Sequence, residues 1–180
     1  MIHPRSKAVL LWILENSTIV LFVAVFLVFG YLSSNFLTLS NMKHILIQSS
    51  SAAIVAIGMT FVLLTAGIDL SVGSIMFLSG VISGLLVVNG CPVPLAFLVV
   101  LAVGAAYGAF NAFFVTQLGI MPFIVTLATL YIGRGLGLFI CKTRAVNLPD
   151  DFLQIGSSLV FGVVPFPILV FALVLLLSHS

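Results

Sequence analysis

Charge is what this sequence has least of. Of 180 residues, six are Lys or Arg and four are Asp or Glu. That 6% compares with about 25% in a water-soluble domain. So small a supply cannot cover a water-facing surface, which excludes a soluble globular protein. The net charge of +2 is small and its carriers are dispersed, so no nucleic-acid footprint is encoded, nor any acidic tail or basic run. Cysteine is almost as scarce. Cys91 and Cys141 stand alone in different segments without C-x-x-C spacing and read as two unrelated small apolar residues. His3, His44 and His179 lie near segment ends and gather with nothing, so no metal is expected. The G-x-x-x-x-G-K-[ST] loop, the nucleophile elbow and the zinc-binding helix are all missing. An enzyme is not expected, and no cofactor either. If the chain takes part in active transport, a partner must supply the energy.

What is present is hydrocarbon: 62% of the residues are hydrophobic and the mean hydropathy is +1.40. A membrane span needs about 20 mainly apolar residues. Six stretches meet or approach that, over residues 13–33, 45–66, 70–89, 94–117, 122–141 and 163–178. Polar or Gly/Pro breaks separate them at "SSNFLTLSNMKH", "NGCPVP" and "QLGIMP". The longest polar loop opens with "CKTRAVNLPDDF", residues 141–152, which holds four of the ten charged residues. No strand alternation is visible, and the runs are too long and uniform for barrel strands. Lipid leaves helices as the only other way to satisfy the backbone. The fold expected is an all-α membrane protein, a polytopic bundle of about six transmembrane helices. Arg5 and Lys7 ahead of an apolar run resemble a secretory leader, but no small-x-small cleavage site follows. The N-terminus therefore reads as a retained first helix with an interfacial lead-in. Gly80 and Gly84, Gly104 and Gly108, and Gly133 and Gly137 each form G-x-x-x-G in adjacent segments, which predicts close helix packing. The Lys and Arg distribution does not decide the orientation.

Ionisable groups at membrane depth cost about 2.5–3.5 kcal/mol on insertion scales, so each is a candidate functional residue. Asp69 lies in "TFVLLTAGIDLSVGSIMFLSG" between Gly67 and Gly73. On one reading a helix ends at Gly67 and the Asp69 carboxylate caps the next, accepting from amides near Ser71 and Val72. On the other, residues 67–74 form a broken helix or hairpin whose loose ends line a polar path. Capping is favoured, and both can hold together. Arg134, in "YIGRG", has three options: to snorkel, to pair with Asp69, or to offer donors to a solute. Asn111, Thr126 and Thr129, with Gln48 and residues 49–51, read first as interhelical hydrogen-bond formers. Such uncharged groups also suit a sugar-like solute better than an ion.

At this point the motifs become familiar. "AIGMTFVLLTAGIDLSVGSI" (residues 56–75) and "GAAYGAFNAFFVTQLGIMPFIVTLATLYIGRGL" (residues 104–136) resemble the two signature blocks of the permease subunits of bacterial ABC importers for ribose and related monosaccharides. The blocks stand in the expected order and separation, and the resemblance covers nearly the whole chain. It implies a multi-pass permease of the bacterial inner membrane with a cytoplasmic N-terminus and residues 141–163 on the periplasmic side. The implied partners are an ATP-binding cassette subunit, a periplasmic sugar-binding protein and a second permease subunit. Within the matched blocks, Gly67, Asp69, Ser71, Gly73 and Ser74 would form the hairpin near the path, with Asn111, Thr126 and Arg134 flanking it. Members of the family are longer, so residues 1–180 are expected to be the N-terminal portion of one permease domain. The alternatives are a truncated, non-transporting remnant and a stand-alone channel or secondary carrier.

Overall fold

In a computed structural model, described over residues 4–156, 158–160 and 164–179, the chain is an all-α membrane protein. His3, Val163 and Ser180 lie outside the described residues. Six apolar helices fall where the hydropathy places them. Three are long and apolar enough to cross a bilayer: α3 (Leu39–Leu64), α5 (Val93–Thr116) and α6 (Pro122–Ile140). Three are shorter: α2 (Ser17–Leu32), α4 (Val72–Val88) and α8 (Phe166–His179). The lead-in is itself a helix, α1 (Pro4–Glu15). It passes almost without interruption into α2, because the Asn16 amide donates to Trp12 O and Val20 donates back to Asn16 O. The loop after α6 holds two elements that the hydropathy did not suggest. They are a short helix, α7 (Asp150–Ile155), and a minimal antiparallel ribbon of β1 (Leu159–Val160) on β2 (Val164–Pro165).

The chain divides into two compact units, Met1–Leu46 and Ile47–Ser180. In the first, Phe26 meets Phe36 edge to face at 5.1 Å between centroids, and Phe29 stacks on Phe36 at 5.8 Å. In the second, α4 packs along both α5 and α6, and α5 along α6. The buried residues here invert the pattern of a soluble protein. Ser50, Ser71, Ser74, Ser79, Asn111, Thr126 and Thr129 are buried, while the long apolar side chains of α3, α5 and α6 point outward. With lipid outside, apolar surface gains nothing by being buried; small residues and hydrogen bonds hold the helices instead.

Three helix ends share one hydrogen-bond pattern. At the end of α3, Gly67 N–H donates to Val62 O at 3.1 Å and Ala66 N–H to Leu63 O at 2.9 Å. This is the Schellman arrangement, in which the penultimate donor takes left-handed backbone. That residue is Ala66, with φ +56°, and not Gly67. The expected helix end at Gly67 is thus corrected: α3 stops at Leu64. Gly67 is small for another reason, since a Cβ there would meet Val62 Cγ1 and O at 3.3 Å. The same pattern closes α4 at Gly90 and α6 at Lys142. Left-handed backbone costs an L-residue about 1–2 kcal/mol, part of which glycine loses again to chain entropy. Ala66→Gly is therefore expected to stabilise the protein by about 0.5–1 kcal/mol, seen as a higher unfolding midpoint in detergent.

Candidate functional site

The break between α3 and α4 is the centre of the buried polar seam. Asp69 Oδ1 accepts two hydrogen bonds, from the Ser71 amide at 2.7 Å and the Ser71 hydroxyl at 2.6 Å. The carboxylate thus closes a tight turn onto the residue preceding α4, where an acid also meets the positive end of the helix dipole. The expected acceptor role is present, but the donors are both on Ser71, not spread over Ser71 and Val72. Ser71 is fully buried and acts as the hub: its hydroxyl receives Asn111 Nδ2 of α5 at 2.9 Å, and its carbonyl receives the Ser74 hydroxyl at 2.7 Å. From α6, the Thr126 hydroxyl reaches the Ile68 carbonyl at 3.1 Å and its own helix at Pro122 O, 2.9 Å. Two helices therefore pin the break, one on each side of Asp69.

The depth of the break follows from these contacts. Thr126 is four residues into α6, about 6 Å from its start at 1.5 Å per residue. Ser74 lies against Gly133, eleven residues in, about 16 Å from that start. The irregular backbone at residues 65–71 thus meets α6 about 6 Å inside its start and leads into α4 beside the middle of α6. There it is tolerated only because protein groups replace water.

The second half of the seam joins α5 to α6. The Tyr107 hydroxyl donates to the Thr129 carbonyl, and the Thr129 hydroxyl to Thr126 O at 3.3 Å. Tyr107 was not singled out in the sequence, because an aromatic residue in an apolar run carries no polar signal until its hydroxyl finds a carbonyl on another helix. Gly133 is what lets it approach: a Cβ there would lie 2.5 Å from the Tyr107 hydroxyl oxygen and 3.0 Å from Ser74 Cβ. Gly137 admits the Phe77 ring in the same way, and Gly84 sits against Val146 and Leu148 of the loop after α6. Gly80, Gly104 and Gly108 have nothing within 4 Å of an added Cβ. The structure therefore brings three of the six expected packing glycines into close contact, and the Gly104–Gly108 pair faces open space.

Arg134 is not brought to Asp69. It is exposed on α6 and lines a groove of about 290 Å³ with Gly73, Phe77 and Leu138. Among the described residues no ion pair or hydrogen bond engages its guanidinium. The carboxamide oxygen of Asn111 is the one buried side-chain polar atom without a partner among the described residues. No group of three or more His, Cys, Asp or Glu is placed to hold a metal among them.

Residues 41–179 match the family described as the permease component of the branched-chain amino acid transport system. The ribose import permease protein of Haemophilus influenzae is 33% identical over 168 residues, 91% of this chain and 52% of that protein. The D-allose transport system permease protein of Escherichia coli K12 is 39% identical over 153 residues, 83% of this chain and 46% of that protein. The autoinducer 2 import system permease protein of Yersinia enterocolitica is 32% identical over 165 residues, 91% and 46%. The chain spans about half the length of the curated relatives it matches. No solved structure matches.

Proposed function

Because the chain belongs to the family of branched-chain amino acid transport system permease components, we propose that it is a membrane-spanning component of an ATP-driven sugar importer. In this reading residues 1–180 are the N-terminal portion of one transmembrane permease domain and form part of the translocation path. The observation that carries the reading is the pinned helix break: a carboxylate-closed turn at membrane depth, held by Asn111 and Thr126. Irregular backbone at that depth is a feature of helices that line a path for a polar solute. Sugar is favoured over amino acid because the relatives are named for ribose and allose. No nucleotide-binding loop is present in the chain. The work is therefore assigned to an ATP-binding cassette subunit, with a periplasmic sugar-binding protein delivering solute and a second permease subunit completing the path. The protein is placed in the bacterial inner membrane with its N-terminus in the cytoplasm and residues 141–163 in the periplasm.

The test is reconstitution of this chain with such an ATPase and binding protein in proteoliposomes. The expected outcome is ATP hydrolysis stimulated by ribose or allose, with labelled sugar accumulating inside. Hydrolysis indifferent to both sugars, with no uptake, would overturn the reading for this chain.

A further inference from the structure

We infer, resting on the permease reading above, that the face in contact with water and solute is the outer side of α4 and α6 around Arg134, and that the Arg134 guanidinium binds a neutral, hydroxyl-rich solute. The buried seam is unsuited to that task. Ser71, Ser74, Asn111 and Thr126 are buried, and they donate to carbonyls, to the Asp69 carboxylate or to each other. A solute could reach them only by taking the break apart. Their role is to position α4 against α5 and α6.

Arg134 is the opposite case. It stands in a spanning helix, exposed, with no partner among the described residues, in a groove open to the outside. A charge at that depth faces a bundle interior or a water-filled cavity, not acyl chains. Three further observations agree. Tyr131, one turn earlier, is 67% exposed and brings a phenol to the same stretch of α6. Gly73, Gly80 and Gly135 have nothing within 4 Å of an added Cβ, so backbone is open to close approach. Phe77, 38% exposed, gives the groove an apolar wall beside the cation. A planar fork of five N–H donors next to an aromatic ring suits a ring-shaped solute with hydroxyl oxygens on its rim and C–H groups on its face. The same cation disfavours positively charged solutes.

Thiol labelling tests the assignment in the full chain assembled with its ATPase and binding protein. With Cys91 and Cys141 replaced by serine, Arg134→Cys is compared with Ile132→Cys, an apolar and exposed position on the same helix. A charged, water-soluble methanethiosulfonate is expected to modify Cys at 134 at least about tenfold faster than at 132, and ribose or allose to slow it. Equal rates at the two positions would overturn the assignment, placing Arg134 against lipid or a protein partner. In the uptake assay, Arg134→Gln is expected to raise KM about tenfold with assembly retained. If the unaltered chain takes up sugar and Arg134→Gln keeps its KM, the assignment fails while the permease reading stands. If labelling is fast at 134 but no variant takes up sugar, the permease reading fails and the water-facing assignment stands.

Discussion

Gly133→Val is expected to lower stability by about 2–4 kcal/mol, from overpacking together with loss of the Tyr107 hydrogen bond. The Cβ alone would sit 2.5 Å from the Tyr107 hydroxyl oxygen and 3.0 Å from Ser74 Cβ and Oγ. The tyrosine ring can swing aside, but only by releasing the Thr129 carbonyl. Ser74 cannot, being fully buried and tied to Ser71 O. The unfolding midpoint in detergent should fall by roughly 5–15 °C. Gly104→Ala and Gly108→Ala are the controls, because an added methyl at either meets nothing within 4 Å. Both should leave the midpoint unchanged or slightly raised, since alanine is the better helix former. Equal losses at 104 and 133 would mean that α5 carries a packed neighbour on its Gly104–Gly108 face.

Ser71→Ala is expected to cost about 2–4 kcal/mol, more than a single lost hydroxyl ordinarily does, because two groups lose a partner by it. Asp69 gives up one of its two donors, and Asn111 Nδ2 gives up its acceptor. Since Asn111 Oδ1 already lacks a partner, the whole carboxamide is then buried and unpaired. Asn111→Leu removes both of those polar atoms along with the contact, so it should be milder than Ser71→Ala despite being the larger chemical change. In the Asn111→Leu background the cost of Ser71→Ala should shrink to the loss at Asp69 alone. A double-mutant cycle on thermal or denaturant midpoints reads this directly. Strict additivity of the two substitutions would show that Ser71 and Asn111 are not coupled.

The parts of this arrangement that were legible in the sequence are those that polarity and glycine spacing encode. Hydropathy placed the six apolar helices, and Asp69 between two glycines marked the break, because a charge in hydrocarbon has few tolerable roles. Tertiary choices were not legible. Three helices end in the same Schellman pattern, yet the left-handed residue is Ala66, Gly90 and Lys142 in turn, and Thr143 adds a β-branched example at φ 57°. Only the glycine announces itself; elsewhere the neighbouring structure imposes the strain. G-x-x-x-G spacing states that a close approach is possible, not that a partner arrives, which is why Gly133 and Gly104 looked alike and differ in contact. Pairing with Asp69 is one of three options that the sequence leaves open for Arg134. The turn at Ser71 claims the aspartate, and the arginine, more than a turn further along the bundle, is left to the groove.

The inverted interior has a calorimetric consequence. The heat capacity gained on unfolding comes from apolar surface newly given to water, while newly hydrated polar groups subtract from it. Within α4, α5 and α6 only Leu78, Val81, Ala96 and Val125 are buried apolar side chains; the other buried residues of these helices carry hydroxyl or amide groups or are glycine. Pulling α4, α5 and α6 apart inside a bilayer or micelle therefore gives little new hydrocarbon to solvent. Their separation should show an enthalpy that barely changes with temperature, and a stability curve flatter than that of a soluble domain of equal length. Chilling, which loosens cores held by the hydrophobic effect, should leave the grip of these three helices on the break intact.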